Sequence, residues 1–263
     1  MPPDSKLSIC IEWRRMSRTS LSKRIQGHGA GVAGVGALLL WSFPAQAQQG
    51  AANLFHEVHY SLSGNVTVVN DYLFRGKSSS DGKPAIQGGF DYTGIQSVFL
   101  GAWGSSGSRS VPVEFDLYGG IDSGLNDWSS LELAVTAYLY PHVMDQSTWE
   151  SKLQLQVGTA AIAYQYDFVL KRHYPEAGYL GEVRSWLAYR VRVGISHQVQ
   201  GMHARPGAEA PVEQTKNVWD GDAQLFFTFT AEFAANIGVV YHEEEGTTAL
   251  FGVRTEFDFL SWR

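Results

Sequence analysis

The chain has few of the residues that form disulfides or membrane-spanning helices. One Cys among 263 residues excludes a disulfide scaffold and a cysteine-built metal site. A mean hydropathy of −0.15 excludes a polytopic helical membrane protein. Charged residues amount to only 17%, where about 25% is usual in soluble proteins. The chain is instead rich in apolar and aromatic residues: 44% hydrophobic, 13% aromatic and Gly 28 exclude a disordered chain and favour a β-rich one.

The first 47 residues have the pattern of a secretory signal peptide. Basic residues between Arg14 and Arg24 precede an apolar run over 29–43, and Ala45-Gln46-Ala47 is typical of a cleavage site. The apolar run is shorter than the about 20 residues that a transmembrane helix needs. We therefore expect export, a true start at Met16, cleavage of 1–47 after Ala47, a lead-in over 48–60 and a folded domain over 61–260.

Cleavage would make the chain more acidic. It would remove six of the 20 basic residues and two of the 26 acidic ones, so the formal charge would change from −6 to −10. An acidic chain lacks the basic face that nucleic acid requires, so we expect no nucleic-acid partner. No G-x-S-x-G, H-E-x-x-H or C-x-x-C motif occurs, so we expect no enzyme, no cofactor and no metal site.

After residue 47 the sequence alternates between apolar and polar side chains, as β-strands do. At the C-terminus, Phe251, Val253 and Phe257 share one face while Arg254 and Glu256 share the other. No run in this part approaches 18 apolar residues, so we expect no membrane-spanning helix. Strands are predicted near 62–74, 85–93, 96–104, 113–118, 131–139, 152–157, 160–169, 218–229, 232–242 and 251–259.

Three features favour a membrane barrel over a soluble β-sandwich. The strands are about 10 residues long, as tilted membrane strands are, and nearly every polar face carries charge. Aromatic residues crowd the strand ends, which is typical of an aromatic girdle. These residues are Tyr72, Phe74, Tyr92, Trp103, Trp128, Tyr140, Trp149 and Trp219.

The connections alternate between short and long, as the periplasmic turns and outer loops of such barrels do. The short connections lie at 93–95, 158–159 and 230–231, and the long ones lie at 75–84, 141–148, 170–181 and 200–217. The connection 122–129 is an exception, because it is long but falls on the periplasmic side. Because bacterial barrels have even strand numbers, the segment 182–199 should be two strands with a tight turn near 190–193. We therefore predict an all-β, antiparallel up-and-down transmembrane β-barrel of about 12 strands.

Several strings in order over about 60–150 resemble the TorF family of porins. The segments 70–76 (NDYLFRG) and 84–92 (PAIQGGFDY) are similar to two of its strings, as are 101–105 (GAWGS), 114–120 (EFDLYGG), 138–141 (YLYP) and Trp149-Glu150. The resemblance implies an outer-membrane β-barrel and a pore, without a known solute or site. The chain departs from the usual barrel ending, since Arg263 follows Trp262 where an aromatic residue commonly comes last.

The candidate site is a charged lumen. Asp71 and Arg75 are four residues apart and would share one face of a strand, where they could form part of a charged constriction. The alternative is a structural ion pair or turn contact, with Asp81 as another partner for Arg75. Charges facing lipid would be costly, so the strand charges should line the interior. The predicted pore-lining residues are Asp71, Arg75, Glu114, Asp116, Glu132, Lys152, Arg184, Arg254, Glu256 and Asp258, with Asp167 and Arg190 in the same class.

We expect an outer-membrane porin that passes small polar solutes or ions by passive diffusion, with 170–181 and 200–217 as candidate gates. Acidic excess would favour cations over anions. Its partners would be membrane lipid, small solutes and the outer-membrane assembly machinery, and the sequence leaves open whether it forms a homo-oligomer. Two alternatives remain: a non-conducting structural or adhesive outer-membrane barrel, and a soluble lipocalin-like binder with apolar side chains inward.

Overall fold

The structure is a computed structural model that describes residues 60–94, 97–126, 128–200 and 214–262. The predicted signal peptide, nearly all of the lead-in and most of the connection 200–217 lie outside the described residues. In this part of the chain no helix is long and apolar enough to cross a membrane.

Within the described residues the fold contains fourteen strands, and one turn of 3-10 helix (Met144–Gln146) lies between the seventh and eighth of them. The strands are β1 (Tyr60–Val69), β2 (Leu73–Phe74), β3 (Lys77–Ser78), β4 (Ala85–Thr93), β5 (Val98–Ser106), β6 (Val113–Asn126), β7 (Ser129–Leu139), β8 (Thr148–Val157), β9 (Ala160–Asp167), β10 (Arg172–Arg184), β11 (Leu187–Gln200), β12 (Gln214–Thr228), β13 (Phe233–His242) and β14 (Gly246–Trp262).

Twelve of these strands form one closed antiparallel barrel in which each strand pairs with its neighbours in sequence. Strand β1 closes the barrel by pairing with β14 on one side and with β4 on the other. The short strands β2 and β3 form a separate two-stranded hairpin in the connection from β1 to β4. This architecture confirms the predicted fold class.

The alternation of the sequence places apolar side chains outside the barrel and polar ones inside. Each of the twelve barrel strands carries at least one large hydrophobic side chain that is exposed on the outer surface. Examples, one per strand, are Val66, Ile86, Leu100, Leu117, Val135, Leu153, Ile162, Tyr179, Val191, Leu225, Ile237 and Phe251. The outer wall is therefore an apolar belt that surrounds the barrel.

Aromatic side chains mark both rims of this belt, but fewer of them than predicted. Trp128 lies exposed at one end and Trp149 and Trp219 near the other. By contrast, four of the aromatic residues that the sequence predicts in the girdle are buried inside the barrel, because their strands or loops direct them inward. These four are Tyr72, Phe74, Trp103 and Tyr140.

Two predicted boundaries between β9 and β12 are wrong. The segment 170–181, expected as an outer loop, lies almost wholly within β10, and the tight turn falls at 185–186 rather than at 190–193. Pro175 and the neighbouring glycines are residue types that are typical of loops, so the sequence predicts a loop here. Pro175 pairs with Tyr164 of β9, while the ladder to β11 skips Tyr174 and Pro175, as expected for a residue without a backbone N–H.

Two further boundaries differ from the prediction. The first strand ends at Val69 rather than at 74, because Asn70 bonds to β14 and turns the chain inward: its side chain donates to Ala249 O (2.9 Å) and accepts from Phe251 N (2.8 Å). The connection 122–129 is also short, since β6 reaches Asn126 and β7 begins at Ser129. All connections at that end of the barrel are then short, and the predicted exception disappears.

Candidate functional site: a charged lumen crossed by an inner loop

The connection from β1 to β4 folds into the barrel instead of projecting outward. We call residues 70–84 the inner loop. Its turn places Arg75 and Gly76 at positive φ (43° and 80°), between the short strands β2 and β3. The buried Asp71 carboxylate holds the loop's shape by accepting hydrogen bonds from the hydroxyls of Ser78 (2.7 Å) and Ser80 (2.8 Å).

The first part of the inner loop packs on the wall nearest to it in sequence. The ring of Tyr72 lies 5.7 Å from that of Trp103 on β5, and its hydroxyl donates to Glu114 on β6 (3.1 Å). Phe74 belongs to the same buried cluster, together with Tyr118 and Ala134. Apolar packing therefore joins the inner loop to the wall formed by β4–β7.

The tip of the inner loop reaches the opposite wall. The Nη2 atom of Arg75 donates to Glu150 on β8 and to Gln165 on β9, both at 2.9 Å, and its guanidinium lies 3.5 Å from the ring centre of Tyr174 on β10. Around the twelve-strand barrel, β9 is six strands from β1 in either direction. The inner loop, with Arg75 at its tip, therefore spans the full width of the barrel.

The inner loop also lies against a third part of the wall, formed by β12, β13 and the turn to β14. A side chain at Gly76 would meet the carbonyl oxygen of Tyr241 at 2.7 Å, so the loop passes close to this wall. Lys77 pairs with Glu245 (3.4 Å), which also accepts from Ser78 N (3.3 Å). The inner loop thus contacts most of the circumference of the barrel.

A second network fixes the wall beneath the inner loop. Arg192 on β11 donates to Asp220 and Asp222 on β12, both at 2.7 Å, and lies 3.4 Å from Glu176 on β10. Arg190 donates to Asp222 as well, at 2.8 Å. Each charged group is thereby matched with an opposite charge, which is what burial of ionised side chains requires.

The predicted pore-lining residues fall into two groups. Asp71, Arg75, Glu114, Asp116, Glu132, Lys152 and Arg254 are buried in the barrel interior, with Asp167 and Arg190. Arg184 and Asp258 are exposed, and Glu256 is half-buried.

Among the buried residues, Glu132 pairs with Lys152 (3.2 Å), and Arg254 pairs with Glu256 (2.6 Å). Asp167 accepts from Thr148 and from two backbone N–H groups just after β9. Arg184 lies beside the turn at 185–186, and its guanidinium donates to the carbonyl oxygen of Val183 (2.9 Å). This contact is local and does not cross the lumen.

The constriction hypothesis for Asp71 and Arg75 needs a correction in geometry. The two residues do not share a strand face, because β1 ends at Val69 and both belong to the inner loop. Asp71 accepts from serines, whereas Arg75 pairs with Glu150. Asp81, the other suggested partner of Arg75, accepts from the backbone N–H of Arg109 (2.9 Å).

Sequence reasoning missed the residues of the far wall. Glu150, Gln165, Tyr174 and Arg192 all contact the inner loop or its supports, and Glu176 joins them. Strand alternation could have placed Glu150 and Gln165 inside, since they share a face with Lys152 and Asp167 respectively. Glu176 is missed because the sequence pattern predicts a loop over 170–181.

Two further features bear on chemistry. In the turn between β13 and β14, a hydrogen bond from Lys216 lowers the pKa of the exposed Glu244. No group of three or more His, Cys, Asp or Glu side chains that could hold a metal ion occurs within the described ranges.

The fold and interior define a closed twelve-strand β-barrel with an apolar exterior and a charged lumen. Residues 56–261 match the family model described as "Bacterial protein of unknown function (Gcw_chp)", and the chain belongs to that family. No curated protein matches the sequence.

Solved porin structures share the fold. The chain is similar to the KdgM porin, with a TM-score of 0.53 and 8% identity over 75% of this chain and 99% of that one. It is also similar to the NanC porin, with a TM-score of 0.50 and 9% identity over 74% and 98% of the two chains. At this level of identity the likeness concerns the barrel architecture.

Proposed function

We propose that the protein is an outer-membrane porin that passes small polar solutes or ions by passive diffusion through its lumen. The observation that carries this proposal is the inversion of the usual arrangement, with large apolar side chains outside and buried charges inside. A lipid bilayer requires an apolar outer surface and a backbone with no free strand edge, and a closed barrel supplies both.

The placement of the connections supports an orientation in that membrane. The turns after β4, β6, β8, β10 and β12 span at most four residues, and both described ends of the barrel lie on this side. Short turns are typical of the periplasmic side. The same proposal includes cleavage of the signal peptide and the outer-membrane assembly machinery as a partner. It also includes the resemblance to the TorF family of porins.

The lumen charges would set the selectivity of such a pore. Acidic residues outnumber basic ones in the sequence, and carboxylates lie on several walls of the interior, which favours cations by field alone. The pore-lining set is Asp71, Arg75, Glu114, Asp116, Glu132, Lys152 and Arg254. Arg184, Glu256 and Asp258 would act at the periplasmic end.

A second candidate function is a structural outer-membrane barrel that does not conduct. The inner loop favours it, because its contacts reach nearly all around the barrel and its charged tip is paired on the far wall. The soluble lipocalin-like alternative is disfavoured, since it needs apolar side chains inward, whereas the large apolar side chains here point outward.

Single-channel recording separates the first two functions. The chain 48–263 would be folded in detergent and added to a planar bilayer. A porin gives discrete current steps, and an acidic lumen gives a reversal potential that favours cations in a salt gradient. A well-folded barrel that stays silent, both as the natural chain and as Arg75→Ala, would contradict the porin proposal and support the structural one.

A further inference from the structure

The wall opposite the inner loop forms a cradle for a planar cation. We define the cradle as Glu150, Gln165 and Tyr174, which lie on the three consecutive strands β8, β9 and β10. All three are buried, with exposures of 4%, 0% and 0%. Together they offer a carboxylate, an amide oxygen and an aromatic face toward one point in the lumen.

A second layer of contacts holds each part of the cradle in place. Tyr138 donates to the second oxygen of Glu150 (3.4 Å), and the amide nitrogen of Gln165 donates to Glu176 (2.8 Å). The latter bond orients the amide so that its oxygen faces the lumen. The hydroxyl of Tyr174 is hydrogen-bonded to Asp220 (2.9 Å). The cradle is therefore fixed by the barrel rather than by the inner loop.

The geometry matches a guanidinium group better than a spherical cation. The guanidinium of Arg75 stacks over Tyr174 while one nitrogen donates to both Glu150 and Gln165. A planar, delocalised and weakly hydrated cation can use an aromatic face and in-plane acceptors together, whereas an ammonium or a metal ion is a point charge.

Electrostatics ties the position of the inner loop to occupation of the cradle. If Arg75 left, the carboxylate of Glu150 would remain buried without this cation, which is strongly unfavourable. A cation of the same shape that entered the cradle would remove that penalty. The electrostatic cost of moving the loop tip away from the far wall is then smaller, and the lumen opens on that side when the tip moves.

We infer that the cradle is a binding site for small organic solutes that carry a guanidinium group, and that Arg75 occupies it as an internal mimic of that solute. Binding of the solute displaces the tip of the inner loop. The inference deepens the proposed function by naming a solute class, and it rests on that function only where passage through the lumen is concerned.

The test measures binding separately from conduction. Methylguanidinium chloride is titrated by calorimetry, at constant ionic strength, into detergent-folded Arg75→Ala, in which the cradle is vacated. We expect saturable binding that weakens at least tenfold in Arg75→Ala/Glu150→Gln. Lys77→Ala is the matched control, because it removes a half-exposed cation of the same loop and leaves Arg75 in the cradle, so it should bind methylguanidinium no more tightly than the natural chain and more weakly than Arg75→Ala.

A reporter on the otherwise natural chain covers the case in which Arg75→Ala does not fold. The chain 48–263 contains no Cys, so Lys83→Cys at the exposed base of the inner loop can carry one environment-sensitive fluorophore. Methylguanidinium should change its emission saturably, and NaCl or tetramethylammonium chloride should not.

Three results would overturn the inference. They are no saturable response in either experiment, a response that Glu150→Gln leaves unchanged, and an equal response to the simple cations. A silent barrel that still binds methylguanidinium would contradict the porin proposal alone, whereas a conducting barrel that does not bind it would contradict this inference alone.

Discussion

The apolar exterior can be tested by placing a charge at its centre. On β7 the outward-facing positions run from Leu131 to Leu139, and Val135 lies midway and is 48% exposed. In outer-membrane barrels, arginine at the bilayer midplane costs about 2–4 kcal/mol. Val135→Arg should therefore reduce the folding equilibrium constant by roughly 30-fold to 700-fold, at about 1.4 kcal/mol per tenfold.

The matched control is Leu125→Arg on the neighbouring strand β6. Leu125 is 55% exposed. Val135 pairs with Gly119 on β6, and Leu125 lies six residues after Gly119 on the same strand. With a rise of about 3.4 Å per residue and a tilt of about 40°, six residues place Leu125 roughly 16 Å from the midplane. That lies beyond the half-height of an apolar band about 25 Å tall, where arginine costs about 0–1 kcal/mol.

The measurement is reversible urea unfolding of both variants in lipid vesicles, followed by tryptophan fluorescence. If Val135→Arg loses no more stability than Leu125→Arg, the belt does not face lipid and the membrane proposal fails. A large loss for Val135→Arg with little loss for Leu125→Arg would instead support it, because the cost of an arginine that faces lipid depends on its depth in the bilayer.

Two predictions concern the interior. Arg192→Met should lower the free energy of unfolding by about 3–5 kcal/mol, because it leaves buried carboxylates on β10 and β12 without this cation; Arg184→Met, at an exposed site, should cost less than about 0.5 kcal/mol in the same urea experiment. Gly76→Ala should displace the tip of the inner loop and raise single-channel conductance, because its φ is +80° and its Cβ would meet Tyr241 O at 2.7 Å. Gly82→Ala has a similar φ of +69° with open space around it, so equal conductance changes in both variants would refute the docking argument.

Alternation predicted the barrel because it reports a local property. Each outward side chain belongs to the same apolar outer surface whatever its partner, so Leu131, Leu133 and Val135 are recognisable without knowledge of the neighbouring strands. The same signal places Glu132 inside. The number of barrel strands followed from this pattern together with the rule of even parity.

Turn residues were less informative than alternation. Pro175 and the glycines after it predicted a loop, yet the barrel accommodates them within β10, where β9 pairs with the proline regularly. The actual turn at 185–186 contains neither Gly nor Pro, and Trp186 marks it only as an aromatic at the rim. Tertiary pairing decided this boundary, and a single sequence does not display pairing.

The inner loop could not be predicted for a related reason. Its key contact joins Arg75 to Glu150, which are 75 residues apart, and its second joins Ser78 to Glu245, which are 167 apart. The resemblance of 70–76 to a family string singled out the segment without saying where it lies. The strand pattern even predicts the wrong structure for this segment, because alternation continues to Phe74 although β1 ends at Val69.

One rule connects the stability of this barrel with its proposed opening. A charge that faces the lumen beneath the inner loop is shielded from bulk water, so it must be matched by an opposite charge. On the β10–β12 wall that requirement is met by pairs between strands, which cannot separate without breaking the barrel. At Glu150 it is met by Arg75, which belongs to a loop and can be replaced. The Arg75–Glu150 pair is therefore a charged contact across the lumen that a solute cation can take over without loss of the fold, and it lies where the inner loop narrows the lumen.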